Sequence, residues 1–232
     1  MMKTLVVTPL QSELDAFVAR CTRLGLRVEH TTIGWLSAAR LPELNITVAR
    51  GGTGKTQFAV HTQHLLDMRL NWELVICAGA AGGLVDDVSI GDVVVATRTV
   101  EHDYNNRFSD RPLPSFEGAS SAIAGLRHAA SACELFRVHF GTVASGDEDV
   151  VDSARRRALH QQTRALAVAW EGAGGARACA FSCVPFVEIR AVTDAADHSA
   201  PADFEKNLKT AMNNVAVLIT SWIWGSQHGA DA

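Results

Sequence analysis

The chain has 232 residues, 47% of them hydrophobic and 20% charged, with a net charge of −4. That length and apolar fraction suit one sizeable core and one α/β domain. With no basic arm and no aromatic-basic stripe, the composition excludes nucleic acid as a partner. The N-terminal MMKTLVVTPLQSE lacks the apolar stretch and cleavage site of a signal peptide. No run approaches the roughly 20 apolar residues that span a membrane. The five cysteines (Cys21, Cys77, Cys133, Cys179, Cys183) are odd in number, spread out and mostly in apolar context. They read as small buried hydrophobes in a reducing compartment, so a cytoplasmic protein is expected.

Lys3–Val7 reads as a short strand. Thr8, Pro9 and Gln11 then signal a helix start, with Thr8 as N-cap and Pro9 at the first helical position. The helix carries Leu14, Phe17, Val18 and Cys21 on one face and ends near Gly25. Glu13 falls in or just after its first turn. It is either a carboxylate stabilised by the helix dipole or one held for chemistry.

Residues 26–50 alternate, suggesting antiparallel strands at Leu26–Glu29, Trp35–Arg40 and Ile46–Ala49. Arg50-Gly-Gly-Thr-Gly-Lys-Thr56 follows, opening a helix from Gln57 to about Arg69. Ala49–Thr56 satisfies a loosened P-loop, with Ala in place of the first Gly. A nucleotide triphosphatase also needs an Asp ending an apolar strand, and Asp92 instead precedes one. Close backbone approach to a small ligand is the better use of these glycines.

Leu74–Ala78 is a buried strand running into a turn-like Gly/Ala-rich segment that includes Ala80 and Gly82. Such small residues fit either tight packing or the wall of a ligand slot. Ile90–Ala96 continues as a strand into a polar cluster holding His102, Asp103 and Phe108, whose spacing matches no metal site. Residues 109–121 form a Pro/Ser/Gly-rich loop, followed by a helix from Ala122 to Phe136 and a strand at Val138–Ala144. Arg155–Arg157 reads as a solvated helix face. Leu166–Ala169 is a short strand leading to Trp170 and Glu171, and residues 172–183 make a small-residue helix. Phe204, Leu208, Met212, Val215, Leu218, Ile219 and Trp222 repeat at three and four, giving an amphipathic closing helix.

Pro185–His198, PFVEIRAVTDAADH, opens as a buried strand and turns polar at Thr193–Asp194. An acid at the carboxyl end of such a strand stands where open α/β sheets hold ligands. Glu188 and Arg190 inside the strand are expected to face charged partners or a site. No internal repeat or domain boundary is found, so residues 1–232 are expected to form one domain.

Leu5–Glu13, Gly52–Lys55, Ala78–Leu84 with Ile90–Val95, His102–Asp103, Ser145–Asp147, Glu171 and Pro185–Asp197 cover nearly the whole chain. In order and spacing they resemble the purine nucleoside phosphorylase/uridine phosphorylase superfamily, most closely its methylthioadenosine/S-adenosylhomocysteine nucleosidase branch. The resemblance implies an α/β domain with a mixed central sheet, partly closed into a barrel and flanked by helices. It implies no cofactor, and a homodimer whose Phe108–Pro114 loop reaches the neighbouring site. It assigns Asp194 to the purine, Glu171 to the ribose hydroxyls and Glu13 to the attacking water. It sets Thr53, Ala80, Gly82, Phe108, Asp149, Val150, Trp170 and Arg190 along the substrate.

The chemistry suits those residue types. Cleaving an N-glycosidic bond builds positive charge on the ribosyl carbon and negative charge on the leaving purine. A protonated carboxylic acid near N7 neutralises the leaving group. A carboxylate can bind the ribose hydroxyls near the cationic sugar, and another can take a proton from water. Where the phosphorylases hold phosphate with arginines, this chain has Gln11–Ser12 and Cys77, with Ala80 replacing a serine; Arg50 is the remaining cation to consider. Water is therefore the expected nucleophile. Ala169–Trp170, Thr53 and Asp149 also depart from the pattern and point to a reshaped pocket. The expected activity is hydrolysis of a 5′-substituted adenine nucleoside. The alternatives are a futalosine-type hydrolase, a phosphorylase, a purine-binding protein without catalysis, and a P-loop ATPase.

Overall fold

The computed structural model describes residues 2–228, among which lie ten strands and six α-helices. In chain order they are β1 (Thr4–Thr8), α1 (Gln11–Arg23), β2 (Glu29–Ile33), β3 (Leu36–Leu41), β4 (Ile46–Arg50), α2 (Gly54–Asp67) and β5 (Leu74–Gly83). Then come β6 (Val93–Glu101), β7 (Ser115–Glu117), α3 (Ser120–Ser131), β8 (Val138–Ser145), α4 (Ser153–Thr163), β9 (Ala165–Ala169), α5 (Gly172–Phe181), β10 (Phe186–Asp194) and α6 (Ala200–His228). No described helix is long and apolar enough to cross a membrane.

Five strands close on themselves. β5 pairs parallel with β10, β10 antiparallel with β6, β6 parallel with β8, β8 parallel with β9, and β9 antiparallel with β5. Ala81, Val94, Ala96, Val143, Ala167 and Val192, drawn from all five, form one buried apolar cluster that fills this ring. From β5 the sheet continues outward through β1, β4, β3 and β2. The mixed, partly closed sheet expected from the resemblance is the one observed.

The apolar stripe of α1 (Leu14, Phe17, Val18, Cys21) is wholly buried, packed with Met212, Val215, Leu218 and Ile219 of α6 against one side of the sheet. Phe58 and Leu65 of α2 and Ala176 and Cys179 of α5 cover another side. The first group is legible from the helical period.

Several boundaries move. Thr8 is the last residue of β1 rather than an N-cap, because its backbone pairs with β4; Leu10 occupies the cap position of α1. The strand expected at Leu26–Glu29 lies at Glu29–Ile33, where it zips antiparallel onto β3. The Gly/Ala segment after Ala78 is no turn: it stays extended to Gly83 because β10 pairs with it along its length. The strand expected at Ile90–Ala96 begins at Val93, after a turn, and runs to Glu101. The loop 109–121 contains β7, bonded to β6, and the first residues of α3, which ends at Ser131 rather than Phe136. Arg155 and Arg156 are not merely solvated: Arg155 pairs with Glu148, and Arg156 binds the Gly83 carbonyl and Asp86.

Candidate active site

The carboxyl ends of β1, β5, β9 and β10 and the first turns of α1 and α6 surround a cavity of about 480 Å³. That volume suits a small organic ligand. Its lining includes Glu13, Thr53, Ala80, Gly82, Asp149, Val150, Trp170, Glu171, Arg190 and Asp194. Ten of the eleven residues expected at the site are therefore brought together. The exception is Phe108, which stands fully exposed on the loop after β6 and does not line this cavity. The loop projects outward from the chain, and sequence order alone could not show that.

Glu13 is the third residue of α1 and only 2% exposed. Its carboxylate joins two elements: Oε1 accepts from the Ala80 N–H at 2.8 Å and Oε2 from the Leu10 N–H at 2.8 Å. Burial pushes its pKa up to about 7, with the nearby Glu171 adding to the rise and the two N–H groups and Arg190 opposing it. The helix-terminal and functional readings of Glu13 thus describe one residue, since it caps α1 while facing the cavity. Gly79 makes the geometry possible, because a Cβ there would come within 2.7 Å of Arg190 Nη1 and 2.9 Å of Glu13 Oε1.

Glu171 ends the connection from β9 and begins α5. Its Oε1 accepts from the Gly54 N–H at 3.1 Å, and its Oε2 meets Arg190 Nη2 at 3.2 Å. Burial raises its pKa against the pull of Arg190. Arg190 is 1% exposed and fully engaged: Nε binds Glu188 at 2.8 Å, Nη1 faces the Ala80 carbonyl at 3.3 Å and Nη2 also faces Cys77 Sγ at 3.3 Å. The expectation that Glu188 and Arg190 face charged partners is met. Arg50, singled out from the sequence as the cation nearest this question, is exposed and outside the lining. Arg190 takes its place.

Asp194 lies where β10 ends, paired with Gly82 of β5. Its Oδ1 accepts from the Ala196 N–H at 2.9 Å, and Thr193 Oγ1 lies 2.8 Å from its Oδ2. Gly82 leaves space for it, since a Cβ there would stand 2.9 Å from Asp194 Oδ1. Burial raises its pKa, opposed by these two hydrogen bonds. Thr193 Oγ1 also lies 3.3 Å from the Ala81 carbonyl. A hydroxyl has one proton to give, so the Thr193 hydroxyl can serve Asp194 as a donor when it is ionised and as an acceptor when it is protonated.

Trp170 Nε1 donates to the Glu148 carbonyl at 3.0 Å, fixing the indole along the cavity wall. Pro9, Leu10, Glu148, Val151, Phe204 and Glu205 also line it and were not expected there. Phe204 belonged to the apolar repeat of α6; only its position near the start of that helix distinguishes it.

The P-loop-like stretch is filled from within. The N–H groups of Thr53, Gly54 and Lys55 donate to Gln57, Glu171 and Asp147, and the Lys55 ammonium binds Glu101 and Asp103. Burial disfavours charge at Lys55, Glu101 and Asp103, but hydrogen bonds prevail: Asp103 and Glu101 raise Lys55, Arg177 and Lys55 lower Glu101, and Lys55 and the Asp147 N–H lower Asp103. Side-chain oxygens of this chain, from Gln57, Glu171 and Asp147, occupy the places a phosphate would need.

A family model described as the phosphorylase superfamily matches residues 3–223. The chain is 31% identical over 195 residues to the 5′-methylthioadenosine/S-adenosylhomocysteine nucleosidase of Geobacillus thermodenitrificans, covering 81% of this chain and 82% of the relative. Its fold matches that of the nucleosidase of the same name from Neisseria meningitidis, solved with methylthio-immucillin-A, with a TM-score of 0.85, 30% identity and coverage of 97% and 100%. It also matches futalosine hydrolase from Helicobacter pylori, with a TM-score of 0.82, 26% identity and coverage of 96% and 98%.

Proposed function

This chain belongs to the phosphorylase superfamily, and we propose that it is a hydrolase that cleaves the N-glycosidic bond of a 5′-substituted adenine nucleoside. The observation that carries this reading is the convergence of Glu13, Glu171 and Asp194, from three distant parts of the sequence, on one cavity. In this reading Asp194, protonated, gives its proton to N7 of the departing purine. Glu171 accepts from the ribose hydroxyls beside the developing cation. Glu13 takes a proton from water as the oxygen bonds to the ribosyl carbon. One C–N bond breaks and one C–O bond forms. The proton gained by Glu13 balances the one lost by Asp194, and exchange with solvent restores both. An aspartate can also accept from an exocyclic amine, which supports a 6-amino purine.

The electrostatics favour water over phosphate. The lining holds six carboxylates (Glu13, Glu148, Asp149, Glu171, Asp194, Glu205) and one arginine already bound to Glu188 and Glu171. A phosphate dianion entering there would meet like charge with no free cation. Trp170 and Asp149, together with the likeness to futalosine hydrolase, favour a second reading with a larger modified nucleoside as substrate. We further propose a homodimer in which the Phe108–Pro114 loop approaches the partner's cavity, and a cytoplasmic location, which the unpaired cysteines support.

The test is chromatographic measurement of adenine released from methylthioadenosine, with and without phosphate. Equal release is expected, and Asp194→Asn should lower kcat by about 10²–10⁴-fold while leaving substrate affinity within a few-fold. Release only in phosphate would establish a phosphorylase instead. No release from methylthioadenosine, with release from a larger 5′-modified nucleoside, would favour the second reading.

A further inference from the structure

Glu188 is wholly buried in the middle of β10, where an ion is costly to place. Two positions before Arg190, it shares that residue's face of the strand. Thr99 Oγ1 of β6 donates to its Oε2 at 2.6 Å, and Arg190 Nε donates to its Oε1 at 2.8 Å. Gly172, at the start of α5, leaves room for the carboxylate, which a Cβ there would overlap. The positive end of the α5 dipole favours an anion at this point.

Held by its Nε edge, Arg190 directs Nη2 to Glu171 Oε2 and Cys77 Sγ and Nη1 to the Ala80 carbonyl. The N–H of that same Ala80 donates to Glu13. A continuous run of contacts thus leads from Thr99 through Glu188 and Arg190 to both Glu171 and Glu13. The charged or titratable groups facing Arg190 are Glu188 on its own strand, Cys77 on β5, Glu171 at the start of α5 and Glu13 on α1. Among the residues lining the cavity Arg190 is the one cation, so its charge is shared among these acids.

We propose that Glu188 is a positioning residue for the reaction. Bound to Nε, it aims the Nη pair of Arg190 at Glu171 and Ala80 and takes up guanidinium charge that would otherwise bear on Glu171 and Glu13. The proposal rests on Glu13 acting as the base. Without the Glu188 charge, Arg190 acts more strongly on Glu13, favouring its ionised form and making it a weaker base.

Glu188→Gln is nearly isosteric and keeps an oxygen for Arg190 Nε. Two readouts are compared with the unaltered protein: the pH dependence of kcat/KM for adenine release, and infrared titration of the protonated Glu13 carboxyl, identified by its loss in Glu13→Gln. Both the acid limb and the infrared titration should move down by about one pH unit in Glu188→Gln, with Glu188→Asp in between. An even loss of activity at all pH, or both readouts unmoved, overturns the proposal. Should Glu188→Gln not fold, Glu188→Asp carries the same test, and an unmoved titration there overturns it. Failure of the hydrolase reading is separate: the unaltered protein would release no base, while the infrared titration would still report the coupling.

Discussion

Glu13 ties α1 to β5 and, in the proposed reaction, is also the base. It receives N–H groups from two elements and is nearly without water, so the cost of burying its charge outweighs both hydrogen bonds and its pKa rises to about 7. A base must be ionised to accept a proton, so kcat/KM should fall as pH drops below about 7. The effect on stability has the opposite sense. The folded state holds this proton more tightly than the unfolded chain, with its ordinary value near 4.5, so the stabilising contribution is complete below that pH and is lost as pH rises to about 7. Melting temperatures of the unaltered protein and Glu13→Gln, compared from pH 5 to 8, should show the unaltered protein losing ground as pH rises. A constant difference would contradict the assignment.

At the scale of elements, the approach of α2 to α5 is set by missing side chains. A Cβ at Gly174 would overlap the Lys55 carbonyl in the first turn of α2, backbone against backbone, with no flexible group able to yield. Gly174→Ala should therefore destabilise the fold by about 1–3 kcal/mol or more, measured by urea unfolding. It should also weaken activity, because the Gly54 N–H bound to Glu171 lies on the displaced turn. The Gly/Ala end of β5 follows a related rule. Its small residues read from the sequence as either packing or a slot wall, and both hold: the strand pairs with β10 while leaving its surface open to the cavity.

At the scale of the whole molecule, closing five strands into a ring gathers the ends of β5, β9 and β10 at one opening, while β1 delivers α1 to its edge. Phe108, fully exposed on the loop between β6 and β7, is an apolar side chain without a place in its own chain. If it reaches a partner's cavity, Phe108→Ala should raise KM several-fold while leaving the melting temperature unchanged, and sedimentation should give a dimer for both proteins. An unaltered KM would remove this loop from the site.

The roles of Glu13 and Glu171 come from the family resemblance. The apolar stripes of α1 and α6, the presence of the ring's strands and the acid that ends β10 are legible in the sequence, as local periodicities or as residue types that stand out against an apolar background. The sequence also showed that Glu188 and Arg190 were misplaced for a core strand. What they meet follows from tertiary pairing, because their partners come from β5, β6 and the start of α5. The same holds for Thr8, whose N-cap signal gives way to pairing with β4, and for Lys55, whose phosphate-binding pattern is satisfied by Glu101 and Asp103, more than forty residues away. Phe204 entered the cavity through the direction of α6, which no local period encodes. Pairing and burial join residues far apart in the chain, and their energies exceed the few tenths of a kcal/mol to about 1 kcal/mol by which local preferences choose a cap or a strand end.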